Sequence, residues 1–219
     1  VSRRQGKHIG YLSGAVALGL LVLVLNLAVP RVTLGARPTK AEGAEAEKVI
    51  ETLDNTLLMV MKDAKRLGYR GRYEILKPVV EETFDFESIT RYSVGRLWKT
   101  FDEKEKEELV QRFTTLSIAT YAARFDGYGG EKFRLASSKP LRRGRYLVRT
   151  ELVKADGEII HMDYVMKKKG GKWRAVNVVV NGVSDLSLKR AQYTYILRKK
   201  NYEGLIRKLD KKIAAYEED

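Results

Sequence analysis

The sequence predicts an α+β fold: helices first, then an antiparallel meander of three to four strands, then helices again. Three observations predict it. Apolar residues recur at helical spacing between residues 39 and 125. The period changes to strict alternation near Tyr146. Helical spacing returns after Ser184. Helices segregated to one face of an antiparallel sheet satisfy all three.

The first helix opens at Thr39-Lys40-Ala41-Glu42, which has the form of a capping box. Ile50, Leu53, Leu57, Val60, Ala64 and Leu67 continue it, and Gly68 and Gly71 are expected to close it. A second helix covers Arg72–Thr83, with Pro78 limiting its regularity. Asp85 caps a third that carries Phe86, Ile89 and Tyr92, and residues 95–99 join it to the next. Thr100-Phe101-Asp102-Glu103 reads as a second capping box. It opens a long helix to about Phe125, with Leu109, Phe113, Leu116, Thr120 and Ala123 on one stripe. The acids in its first turn suit the positive end of the helix dipole.

A short strand is expected at Lys132–Ser138. Tyr146, Val148, Thr150 and Leu152 then alternate with Leu147, Arg149, Glu151 and Val153, as in a half-buried strand. Asp156-Gly157 turns the chain into a returning strand at Ile159–Lys168. Gly170-Gly171 turns it again into Trp173–Val180, and Asn181-Gly182 ends the meander. Ser184 caps a helix to about Lys199, and Asn201 another to about Tyr216 whose buried face holds Leu205, Leu209 and Ile213.

The N-terminus has its own composition. Arg3, Arg4 and Lys7 precede an uncharged apolar run from Tyr11 to Val29, and small residues follow at Gly35-Ala36. This is the pattern of a secretory signal, and the run is also long enough to span a bilayer. Residues 1–36 are therefore expected to be a signal peptide or an N-terminal membrane anchor, with export in either case. Residues 37–219 form the remaining domain.

The formal charge is +14, from 42 Lys+Arg against 28 Asp+Glu. Setting aside Arg3, Arg4, Lys7 and Arg31 leaves 38 against 28, so the domain is basic in its own right. Such an excess points to an anionic partner, whether nucleic acid, a membrane surface or an acidic protein, although a solvated basic surface accounts for it more simply. Only Lys167–Lys169 and Lys199–Lys200 cluster, a poor fit to a nucleic-acid patch. With no cysteine, disulfides, zinc thiolates and thiol nucleophiles are excluded.

Catalytic patterns are missing. His8 lies in the leader, and His161 stands alone on a strand, facing opposite to Tyr164. There is no HExxH, G-x-S-x-G or Walker A loop. Gly127-Tyr128-Gly129-Gly130 follows a helix and reads as a turn. Glu81-Glu82 and the acids from Glu103 to Glu108 read as solvated helix faces, and nothing in the spacing makes Asp85 and Asp163 an acid–base pair. What stands out is aromatic supply: 12 Tyr, 6 Phe and 2 Trp. Ordinary core explains such residues, and so does an apolar cavity between sheet and helices.

Three stretches carry a family resemblance. The first is Phe84-Asp85-Phe86-Glu87-Ser88-Ile89-Thr90-Arg91 followed by Gly95-Arg96-Leu97-Trp98. The second is Phe113 with Tyr121-Ala122 on the long helix. The third runs from Gly171-Lys172-Trp173-Arg174 through Val178-Val179-Val180-Asn181-Gly182-Val183-Ser184 to Arg190, Gln192 and Tyr193. Together they resemble the MlaC-type (toluene-tolerance) periplasmic phospholipid-binding proteins, over most of the chain after residue 45. Asn177 and Asn181 stand where the family usually has acids, and Leu188-Lys189 replaces a common Asn-Tyr. Ser184-Asp185-Leu186-Ser187 and Phe125 with Tyr128-Gly129 also look like its hopanoid-associated, HpnM-like branch.

The resemblance implies a non-enzymatic periplasmic carrier that shuttles lipid between inner and outer membranes. Its partners would be phospholipid, an inner-membrane MCE-type ABC transporter complex and an outer-membrane lipoprotein complex. No cofactor, metal or nucleic acid would bind, and the only bound group would be lipid cargo. Period-two facing then suggests the lipid-binding residues. Val148, Thr150 and Leu152 share a face with Tyr164 and Met166; Trp173, Ala175 and Val179 extend it; Tyr121 and Phe125 cover it from the long helix. Three rivals remain: an enzyme, which needs a polar pair in a cavity; an envelope docking protein with no cavity beneath its sheet; and a nucleic-acid binder, which export disfavours.

Overall fold

The computed structural model describes residues 38–217, so the predicted leader lies outside the described residues. Four helical segments come first: α1 (Lys40–Lys62), α2 (Ala64–Thr83), α3 (Phe86–Val94) and, after a 3-10 turn at Gly95–Thr100, α4 (Glu103–Arg124). Five strands follow, β1 (Lys132–Pro140), β2 (Arg145–Val153), β3 (Ile159–Lys169), β4 (Lys172–Val180) and the two-residue β5 (Val183–Ser184). The last element is α5 (Asp185–Glu217). The strands pair antiparallel in sequence order, a pure meander. The expected α+β plan is the one observed, with β5 as a short addition. Among the described residues, no helix is long and apolar enough to cross a membrane.

Thr39 caps α1 as a complete box: its hydroxyl accepts from the Glu42 amide, and the Glu42 carboxylate accepts from the Thr39 amide. The chain then leaves the helix at Asp63, earlier than Gly68. Gly68 has instead an extended turn at φ 60°, ψ −177°, a kink inside α2 that only glycine adopts freely. The second box sits two residues later than expected. Asp102 and Glu105 are the reciprocal pair, at 2.8 Å in both directions. Thr100 and Glu103 have the same spacing, but Phe101 decides the register. Its buried ring meets Tyr202 of α5 edge-on at 5.2 Å, which leaves Asp102 at the helix start.

The register defines the inner sheet face. Val148 opposes Tyr164, Thr150 opposes Met162, and Leu152 opposes Ile160. Met166 opposes Ala175, whereas Val165 opposes Asn177, so Val176 is an extra residue in β4. The bulge reverses parity beyond it. Val178 pairs with Tyr164 and Val180 with Met162, so these two continue the inner face. Val179 pairs with Asp163, whose carboxylate holds Arg149 at 3.0 Å on the exposed outer face. The expectation that Val179 joins Trp173 and Ala175 is therefore corrected: alternation without the bulge places it one residue out of phase.

Helices α1 and α2 cover one end of this face. Tyr146 lies against α1 so closely that a Cβ at Gly43 would overlap its ring. Lys168 reaches back to Glu42 and Glu45 on α1, each at 3.1 Å, with its ammonium over the Trp173 ring at 5.4 Å. Phe84, between α2 and α3, forms a parallel bridge with Ala175. Val148, Tyr164, Met166, Trp173 and Ala175 are all buried here, together with Ile50, Leu53, Leu57 and Leu76.

Candidate functional site

The other end of the inner face is hollow. A cavity of about 850 Å³ opens between the sheet, α4, the α2–α3 junction and α5. That is within the usual size of a small-ligand pocket. Its sheet wall is Leu152, Ile160, Met162, Val178 and Val180; α4 contributes Phe113, Leu116, Ser117, Thr120 and Tyr121, and Phe125 follows at its C-cap. Phe84, Phe86 and Ile89 close one side, and Leu186, Tyr193 and Tyr216 another. Helical spacing explains the α4 wall: positions 113, 116, 117, 120 and 121 stack on one side of a helix. The hydroxyls of Ser117 and Thr120 are spent on the carbonyls of Phe113 and Leu116, at 2.8 and 2.7 Å. They add little free polarity to the wall.

Seven rings form a connected arc, six of them lining the space and the seventh, Phe133, extending it onto β1. Tyr193 meets Phe113 edge-on at 6.0 Å, and Phe113 meets Phe86 at 6.2 Å. Phe86 meets Phe84 at 5.7 Å, and Phe84 meets Tyr121 at 5.9 Å. Tyr121 stacks on Phe125 at 5.8 Å, and Phe125 reaches Phe133 of β1 at 6.4 Å. Burial raises the phenols of Tyr121 and Tyr193 above the ordinary tyrosine range, with the charge of Asp185 adding to both. Both stay protonated at neutral pH and act as apolar wall with a polar tip.

Charges gather at the rim. Arg124, Lys154, Lys189 and Lys212 line the cavity alongside Asp126, Glu131 and Asp185. Lys154 is paired to Glu158 at 2.6 Å and Lys189 to Asp185 at 2.5 Å. No histidine is among the lining residues, and His161 stands on the outer sheet face, 3.3 Å from Glu151. Among the described residues, no group of three or more His, Asp or Glu is placed to hold a metal ion. Asp85 and Asp163 serve separate pairs, with Lys169 and Arg149. The cavity interior thus offers apolar contact and shape, without a nucleophile beside a base.

Of the ten residues that the sequence suggested, Tyr121, Phe125 and Leu152 line the cavity. Val148, Thr150, Tyr164, Met166, Trp173 and Ala175 are on the same sheet face but in its solid end. Val179 is on the opposite face. The larger part of the wall was not foreseen as such: Phe84 and Phe86 stood in the family-like motif, and Phe113 and Leu116 on the helical stripe. The missing signal was which end of the sheet the helices leave uncovered.

One buried group was missed outright. Asp54 sits on the core side of α1, about 5% exposed, and among the described residues its Oδ1 has no hydrogen-bond partner. Burial pushes its carboxyl from 3.8 up to about 7. Its charge adds to the raised phenols of both Tyr121 and Tyr164.

Comparison with known proteins agrees with this architecture. The family model described as "MlaC protein" matches residues 51–211. The intermembrane phospholipid transport system binding protein MlaC of Haemophilus influenzae is 26% identical over 120 residues, 53% of this chain and 56% of that protein. The match thus spans little more than half of that relative. A phospholipid-binding protein from Ralstonia solanacearum, solved in complex with a phospholipid, superposes with a TM-score of 0.70. It covers 78% of this chain and 98% of that one at 19% identity, a likeness of fold.

Proposed function

The chain belongs to the MlaC family, and from that premise we propose that it is a non-enzymatic carrier whose cavity holds phospholipid acyl chains. The observation that carries the reading is the arc of six rings lining a space of about 850 Å³ with its charges at the rim. Acyl burial stabilises a complex by about 0.8 kcal/mol per CH₂, so a dry wall suffices and no catalytic group is needed. The head group would remain among the rim charges. Residues 1–36 would direct export, as a cleaved signal or as an anchor, and residues 37–219 would work in the periplasm. There the protein would pass lipid between an inner-membrane MCE-type ABC transporter complex and an outer-membrane lipoprotein complex, and so maintain outer-membrane lipid asymmetry.

The test is mass spectrometry of an organic extract of the protein, purified from a periplasm without detergent. Near-stoichiometric phospholipid is the expected result. A hopanoid in its place would keep the carrier and change its cargo. A lipid-free protein that also takes no lipid from vesicles would overturn the reading in favour of envelope docking.

A further inference from the structure

Helix α5 presents an exposed face that extends beyond the cavity. From Leu186 to Lys200 it carries five basic residues (Lys189, Arg190, Arg198, Lys199 and Lys200) and no acidic one. Leu188 and Tyr195, seven residues apart on one exposed stripe, are 59% and 65% exposed. Tyr92 of α3, 43% exposed, adjoins this helix, where Arg190 Nη1 donates to its carbonyl at 3.1 Å. Val183, 52% exposed, lies two residues before the helix. Four of the eight large apolar side chains exposed among the described residues thus fall on or beside this one stretch. The other four, Met59, Tyr128, Leu135 and Ile159, are scattered over three elements and a loop.

Two further facts give the face a direction. Leu188, Lys189 and Gln192 also line the cavity, so the exposed apolar stripe begins at its mouth. Arg198, Lys199 and Lys200 are exposed, and among the described residues no carboxylate pairs with them. Exposed aromatic and aliphatic side chains flanked by unpaired cations on one helix are the pattern of an interfacial helix on anionic lipid. Tyrosine suits the head-group level in particular.

We propose that this face of α5 seats the protein on an anionic bilayer surface, with Tyr92, Leu188 and Tyr195 entering the head-group region and Arg198, Lys199 and Lys200 against lipid phosphates. Seating there brings the cavity mouth to the membrane, and a lipid would then cross along Leu188 with little exposure to water. The inference does not depend on what occupies the cavity, because docking needs no cargo.

The experiment is flotation of residues 37–219, which hold the whole described fold and leave out the apolar run able to anchor the chain by itself, with phosphatidylcholine vesicles, with and without phosphatidylglycerol. Co-flotation is expected with the anionic vesicles, and it should weaken as salt is raised. Tyr92→Ser with Tyr195→Ser should weaken it about tenfold or more. Arg198→Gln, Lys199→Gln and Lys200→Gln together should remove the advantage of phosphatidylglycerol. All five positions are exposed and outside the cavity wall, so unchanged circular dichroism separates lost docking from lost fold. A wild-type chain that does not float with anionic vesicles, or a double tyrosine variant that floats as well as wild type, would overturn the proposal and leave the face to a protein partner.

Discussion

The amide of Asp85 donates to the carbonyl of Ala175 at 3.0 Å, beside the one-residue parallel bridge between Phe84 and Ala175. The junction of α2 and α3 is thereby fixed to β4 by backbone, and Phe84 and Phe86 are held as one side of the cavity. The Asp85 side chain serves the same junction. It accepts from the Ser88 amide at 3.1 Å and from the Ser88 hydroxyl at 2.5 Å, and pairs with Lys169 at 3.1 Å.

Asp85→Ala removes a helix cap and leaves Lys169 with Glu87 alone. Urea unfolding should show a loss of about 1–3 kcal/mol. Burial acts to raise the Asp85 carboxyl, but the bonds from Ser88 and Lys169 outweigh it and hold the group below its ordinary range. Its contribution is therefore present above the ordinary aspartate pKa and is lost as pH falls through the folded value. The variant should show less acid sensitivity than wild type.

Asp54 has the opposite sign. Its folded carboxyl, at about 7, lies above the unfolded value of 3.8. Its neutral form favours the fold fully below 3.8, and that benefit is lost as pH rises through 7. Asp54→Asn should stabilise the protein by up to about 4 kcal/mol above pH 8, and hardly at all below pH 4. Melting curves across that range measure the difference between the two.

Gly43→Ala would ordinarily help a helix by about 1 kcal/mol. Here the new Cβ overlaps the buried Tyr146 ring, and overpacking of this kind costs about 1–3 kcal/mol. A net loss of stability is expected. Adding Tyr146→Leu should recover part of it, a coupling that a double-mutant cycle reads directly.

The same bulky residue should behave differently at the two ends of the sheet. Ser117→Trp projects into open space and should lower lipid occupancy several-fold while the melting temperature holds. Ala175→Trp enters packed core against Phe84, and should unfold the protein or destabilise it by more than about 2 kcal/mol. If both variants lost occupancy and kept the fold, the boundary drawn here between core and cavity would be wrong.

Most elements were legible from period alone, because each is long and strongly patterned. The capping residue of α4 was not: two overlapping boxes compete locally, and the packing of Phe101 on Tyr202 selects one. The facing of Val179 was lost at the Val176 bulge, which adds a residue without any glycine or proline to mark it. The cavity was legible as a property but not as a place. Leu152 and Val148 look alike in sequence, and only the position of α1 and α2 makes one wall and the other core. Nothing in the sequence marks Asp54 as buried, because Leu53 and Leu57 beside it already satisfy the helical stripe.

The meander has a consequence for how the molecule assembles. Every strand pairs with its sequence neighbour, so the sheet can form hairpin by hairpin with short loop closures. The Phe84–Ala175 bridge is different, since α3, α4 and three strands intervene between its partners. Helices α1 and α2 can pack on α4 once it is made, as the bond from Arg72 to the Ala122 carbonyl shows, but their link to the sheet through Ala175 waits for β4. The sheet-facing side of the helical half is therefore completed late in translation, which makes the nascent amino-terminal half a natural client for holding chaperones.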